Sequence, residues 1–103
     1  MSKFVLHSEA YADLKQIWEY IATDNLDAAD RTLDEIYDSI TSLARFPQTG
    51  HSRPDLTSRP LRFQIVRDYV IGYVPDEKPL VVIAILHGRR NPRVLAAIFN
   101  RRS

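Results

Sequence analysis

The sequence predicts an α+β fold in two layers, ordered β-α-α-β-β-β, with a helical hairpin packed on one face of an antiparallel sheet. Three observations carry this. Before Pro47, apolar residues recur at three- and four-residue steps in two successive stretches; after Pro60 they recur at every second residue; and Leu80 to Leu86 is an unbroken apolar run. Helices grouped ahead of a strand meander indicate segregated layers, not a wound parallel sheet.

Phe4 to Leu6 is short and apolar, a strand. Ser8 is placed to cap a helix, with Glu9 at its positive end. Ala10, Leu14, Ile17, Trp18 and Ile21 then form one apolar face over about four turns, leaving Asp13, Lys15, Gln16 and Glu19 on the other side. The helix stops at Thr23-Asp24-Asn25, residues that bond their own backbone. Asn25 caps a second helix with Asp27 in its first turn and a face of Ala29, Leu33, Ile36, Ile40 and Leu43. That spacing suits a seam along another helix, and with so short a linker the two form an antiparallel hairpin. Pro47 ends it.

Residues 48–59 are rich in turn formers and aperiodic, a loop. Leu61, Phe63 and Ile65 alternate with Arg62 and Gln64; Asp68 marks a tight turn; Tyr69, Ile71 and Tyr73 resume the alternation, which makes a β-hairpin. Pro75 to Pro79 is a second turn. It leads into the apolar run, whose place is the sheet centre or under cover on both faces. The last three strands should pair in order, with the first strand added at one edge. A weakly helical stretch, Arg93 to Phe99, closes the chain.

Length and composition narrow the functional classes. At 103 residues the chain is expected to be a single domain over 1–103 with one real core. The absence of Cys excludes zinc ribbons, redox pairs and disulfide scaffolds. The longest apolar run is far short of the roughly 20 residues of a membrane span, so no membrane is implied. The start of the chain is too weakly apolar for a secretory signal, and a cytoplasmic address is expected. Three glycines do not make a phosphate loop, and His7, His51 and His87 lack close ligand spacing, so neither cofactor nor metal is implied.

Charge is unevenly divided. Residues 1–52 carry a net −5 and residues 53–103 a net +6, and nine of the ten basic residues in the second half are Arg. Arg suits phosphate and carboxylate recognition through its planar donor fork. The densest group is His87-Gly88-Arg89-Arg90-Asn91, directly after the most apolar strand, where a rigid strand end can fix side chains and Gly88 lets the chain turn. It suits a polyanion or an acidic partner, or is a solvated strand end with an Arg paired to an acid of the hairpin. A second group, Arg53, Asp55, Arg59, Arg62 and Arg67, runs from the loop into the first hairpin strand, where Arg53 and Asp55 can simply fix the loop. Tyr69 and Tyr73 share a strand face. They read first as core aromatics with a wet hydroxyl, and second as proton carriers or stacking platforms.

Tyr11-Ala12-Asp13-Leu14, Tyr20-Ile21, Ala28-Ala29-Asp30-Arg31, Phe46-Pro47-Gln48-Thr49-Gly50, Arg53-Pro54-Asp55-Leu56, Leu61-Arg62, Tyr69 to Tyr73 and Leu86-His87-Gly88-Arg89-Arg90 together resemble the ParE branch of the ParE/RelE toxin superfamily. The resemblance spans residues 4 to about 95, with its pieces in the right order. It implies the toxin of a bacterial type II toxin–antitoxin pair, of the plasmid-stabilisation kind, held in a heteromeric complex by a ParD-like antitoxin. It implies the same strand, two-helix, three-strand fold, and an antitoxin-binding set of Leu14, Trp18, Leu33, Tyr37 and Arg53. His51 and Pro60 stand where many relatives carry Arg and Gly.

Two activities divide the superfamily. RelE-like members cut mRNA on the ribosome with basic residues and a Tyr or His, which in this chain would be His87, Arg89, Tyr69 and Tyr73. ParE-like members are associated with poisoning DNA gyrase, and the corresponding target-binding set is His87, Arg89, Arg90, Arg62 and Arg67. Phe99 stands where many RelE-type nucleases have Tyr, which favours the gyrase reading. A third expectation is an inert member that only binds its antitoxin. The antitoxin is expected to lay a helix in the hairpin groove and a strand on an open sheet edge, its acidic residues meeting the basic second half.

Overall fold

The computed structural model describes residues 3–102. Its elements are β1 (Phe4–Leu6), α1 (Ser8–Ala22), α2 (Leu26–Arg45), β2 (Arg62–Val66), β3 (Tyr69–Val74), β4 (Leu80–His87) and α3 (Pro92–Arg101). The predicted order of two helices and four strands is present, with α3 extending the weakly helical tail. The cap of α1 is His7, one residue before the predicted Ser8: its Nδ1 accepts from Glu9 N at 3.1 Å. Asn25 caps α2 as predicted, its side-chain oxygen accepting from Ala28 N at 2.9 Å.

The strands lie in the order β1-β4-β3-β2. β2, β3 and β4 form the predicted antiparallel meander, and β4 is central. The first ladder departs from the antiparallel expectation: β1 joins β4 in parallel, pairing Phe4 with Leu80 and Leu6 with Val82. A strand that feeds a helical hairpin crossing over the sheet re-enters in the same direction as the strand it meets, which makes the sheet mixed.

A register slip at Gly72/Tyr73 shapes β4. Gly72 pairs with Ala84 and Tyr73 with Val82, so Ile83 is the extra residue of a bulge. The slip sends Val82 and Ile85 into one core with Ile36, Ile40, Leu43 and Tyr73 of the hairpin side, while Ile83, Ala84 and Leu86 join Phe63, Leu95 and Phe99 in a second core. β4 is therefore covered on both faces, as its apolar run requires.

That second core adds a layer to the predicted two, the hairpin itself staying on one face as predicted. α3 lies against the sheet face opposite the hairpin, with Leu95 and Phe99 buried there. Asn91 caps it, Pro92 begins it, and Arg59 donates to the Phe99 and Arg102 carbonyls at its end. The coverage stops short of the β2 edge, where Ile65 is 65% exposed despite its place in the alternation. Two other positions differ from the helical wheels: Thr32 is buried in α2, bonding back to Ala28 O, while Leu33 is only half-buried.

Candidate functional site

The end of β4 holds its side chains by strand pairing. Tyr69 and His87 are the last partners of the β3–β4 ladder, and their rings meet edge-on with centroids 5.5 Å apart. After His87 the backbone turns: Gly88 N donates to Asp68 O at 2.7 Å and Arg90 N to His87 O at 3.2 Å. His87 Nδ1 accepts from Arg89 N at 3.1 Å, which leaves the proton of the neutral ring on Nε2. A cleft of about 350 Å³ opens between this strand end and α1, with Gln16, Tyr20, Tyr69, His87 and Arg90 on its walls. Burial, with the Asp68 carboxylate next, raises the Tyr69 hydroxyl above its ordinary pKa, while Arg67 opposes the shift. Tyr69 is thus a neutral donor at physiological pH and a poor base.

Of the predicted target-binding residues, the fold gathers His87, Arg89 and Arg90, and Arg93 follows one turn on. Arg89, Arg90 and Arg93 are exposed and have no ion-pair partner among the described residues. Arg67 sits in the β2–β3 turn with φ 54°, close to Gly88, but its guanidinium makes a two-point contact with Glu35 of α2 at 2.8 and 2.6 Å. That contact lowers the Glu35 pKa. Arg62 lies at the far end of β2, opposite Tyr73, and donates to Gly50 O. The arginines of the second half are therefore divided, Arg53, Arg59, Arg62, Arg67 and Arg102 being bound within the fold.

Of the candidate chemistry residues, Tyr73 does not join the others. It is fully buried, its hydroxyl donating to Pro47 O at 2.7 Å and accepting from Gly50 N at 2.9 Å. Four residue steps along the strand separate it from Tyr69, about 13 Å.

Leu14, Trp18, Leu33 and Tyr37, from the antitoxin-binding set, all line one groove of about 330 Å³ between α1 and α2, with Tyr11 and Lys15. Trp18 Nε1 donates to Asp30 Oδ1 at 2.9 Å, which fixes the indole. Arg53 lies elsewhere, in the loop before β2, with Nε and Nη2 on Asp55 at 2.9 and 2.7 Å. This is the loop-fixing role the sequence allowed, and it lowers the Asp55 pKa.

Sequence reasoning missed Asp13, placed on the outer face of α1 but buried. It sits between Ala10 and Ile17 at three and four residues' distance, a position on the margin of the apolar stripe that the spacing itself exposes. Among the described residues there is no group of three or more potential metal ligands, and no helix long and apolar enough to cross a membrane.

A search of curated proteins gave no match. A family model described as the ParE toxin of the type II toxin–antitoxin system, parDE, matches residues 4–92, from the first residue of β1 to the first of α3. With most of its length matched, the chain belongs to the ParE toxin family, the toxins of type II toxin–antitoxin systems, whose members are paired with an antitoxin.

Proposed function

We propose that this toxin inhibits DNA gyrase without catalysis of its own, and that a cognate ParD-like antitoxin silences it in a heteromeric cytoplasmic complex. The observation that carries the reading is the division of the arginines. Arg89 and Arg90, in the turn after the strand end that carries His87, and Arg93, in the first turn of α3, stand free, a cationic rim suited to an acidic protein surface or to phosphates. The tyrosine chemistry a nuclease needs is dispersed: Tyr73 spends its hydroxyl on Pro47 and Gly50, and Phe99 is buried and has no hydroxyl.

One observation favours the endoribonuclease alternative. His87, Tyr69 and Arg90 border a single cleft, and an imidazole, a phenol and a guanidinium are an acid–base pair with a phosphate clamp. Purified toxin added to gyrase and relaxed plasmid should block supercoiling and trap cleaved DNA, while leaving mRNA on programmed ribosomes intact. Codon-positioned cuts with unimpeded supercoiling would transfer the assignment to the nuclease. Silence in both assays would leave an inert, antitoxin-binding member.

The groove between α1 and α2 is the natural seat for the antitoxin. Its apolar walls accept an amphipathic helix, and its aromatic lining supplies anchors of the kind that dominate interface energetics.

A further inference from the structure

An acidic row on α2 runs alongside the α1–α2 groove. On α2, Asp27, Asp30, Asp34 and Asp38 follow one another at steps of three and four, so they form a single stripe. At 100° per residue this stripe lies next to Leu33 and Tyr37 on the side away from the buried face of Ala29, Ile36 and Ile40. All four carboxylates are on exposed residues, and none has an ion-pair partner among the described residues. Only Asp30 is engaged, by the Trp18 indole. Across the groove, α1 contributes one cation, Lys15.

Like charges at i, i+3 and i+4 repel and weaken a helix, so Asp30, Asp34 and Asp38 are a cost to the isolated toxin, offset in part by Arg31 beside them, while Asp27 is favoured by the helix N-terminus. An opposite charge laid along it would remove that cost. The apolar groove alone does not say what fills it, and the acidic row alone is a solvated face. Side by side they define an occupant.

We propose that the groove takes an amphipathic helix of the antitoxin that is cationic along the flank facing α2, with Lys or Arg opposite Asp34 and Asp38 and apolar anchors reaching Leu14, Trp18 and Tyr37. This rests on the reading of the groove as the antitoxin seat. It reverses the simpler expectation that the antitoxin is acidic wherever it meets the toxin: acidic residues suit the Arg89, Arg90 and Arg93 rim, and basic ones suit this groove. A second copy of the chain is a poor occupant, because α1 and α2 are net acidic and α3, the one net-cationic helix, already buries Leu95 and Phe99 in its own core.

Trp18 is the only tryptophan and lines the groove, so its fluorescence reports occupancy directly. The test uses the purified full chain and two synthetic peptides of about four helical turns. Both carry Leu at i, i+4 and i+7; one has Lys and the other Glu at the flanking positions. The Lys peptide should bind at least about tenfold tighter, with the advantage shrinking as salt rises from about 0.05 to 0.5 M. In Asp34→Lys/Asp38→Lys, which leaves the Asp30–Trp18 bond alone, the preference should invert while far-UV circular dichroism is unchanged. Equal affinities, preference for Glu, failure of both peptides to move Trp18, or a Trp18 response that instead follows toxin concentration would each overturn the proposal. Co-expressed cognate antitoxin separates the two levels. If it neutralises the toxin and shields Trp18 with no dependence on the stripe's charge, the seat stands and the cationic flank falls; if Trp18 stays open in the neutralised complex, the seat itself falls.

Discussion

Asp13 and Arg102 meet across the edge of the sheet. Arg102 Nη1 and Nη2 donate to the Asp13 carboxylate at 2.6 and 3.2 Å, although α1 and the end of α3 lie on opposite faces. β1 is too short to pair the whole of β4, and beyond Val82 the pair supplies what the missing strand would: Asp13 accepts from Ile85 N at 3.0 Å and Arg102 donates to Ile83 O at 3.2 Å. The two side chains are 9% and 11% exposed, so the ions are largely desolvated. Removing one leaves the other buried and unmatched, which costs about 3–5 kcal/mol. Asp13→Ala and Arg102→Ala should each lower the unfolding free energy from urea titration by that order, and Asp13→Leu/Arg102→Met should lose much less than their sum. Additive losses would mean the two groups act independently.

Gly72 is reserved for Phe99. A Cβ at position 72 would overlap the Phe99 ring, with Cδ1 2.8 Å away, while the ring's neighbour Phe63 meets it edge-on at a centroid distance of 4.8 Å. The ring cannot retreat without lifting α3 from the sheet. Gly72→Ala should therefore destabilise by about 1–3 kcal/mol through overpacking, and Phe99→Ala by about 3–5 kcal/mol through a cavity. Phe99→Leu should restore part of the loss in Gly72→Ala. If Gly72→Ala melts at the native temperature, α3 is not held by this contact.

Tyr73 gives the protein an alkaline limit. Burial raises its pKa above the ordinary value of about 10, against smaller opposing effects of the Gly50 N–H and the Arg62 charge. A group whose folded pKa is raised contributes stability that is complete below its unfolded pKa and lost as pH rises through the folded one. Stability should accordingly hold up to about pH 10 and fall above it, and in ultraviolet titration Tyr73 should ionise above the ordinary tyrosine range. Tyr73→Phe should flatten the alkaline fall, at a cost near neutrality of about 1–3 kcal/mol for the unpaired Pro47 carbonyl and Gly50 amide.

The architecture was legible because each element had a local cause: the apolar steps of α1 and α2, the Asn25 cap, the alternation from Leu61 to Tyr73, and the unbroken run of β4. What escaped depends on contacts between residues distant in sequence. Asp13 looks like an outer-face acid until Arg102, 89 residues away, is brought beside it. α3 is weakly marked because half of its reason for being helical is the Phe99 socket made by Gly72. For the site, the HGRR strand end could be read from type and spacing, while the groove residues as a set came with the family resemblance. The fate of Arg62 and Arg67 could not, since their partners Gly50 and Glu35 come from other elements.

His87 and its neighbouring arginines separate the two activities through one set of variants. A general acid or base contributes about 10²–10⁴-fold to a reaction, so if mRNA is cut, His87→Ala should all but abolish the cuts. An inhibitor that works by docking needs no proton transfer, and His87→Ala should then leave gyrase inhibition within about threefold of the parent, since a half-buried side chain beside the contact loses little affinity. Arg89→Ala/Arg90→Ala should weaken inhibition by about tenfold or more, increasingly at low salt where the lost charges matter most. Arg67→Ala should have a much smaller effect, because that guanidinium already spends its charge on Glu35. Supercoiling assays across this series, run at two salt concentrations, read all of these outcomes. Inhibition that survives in the double variant but is lost in His87→Ala would place the action in the cleft beside Tyr69 and not on the cationic rim.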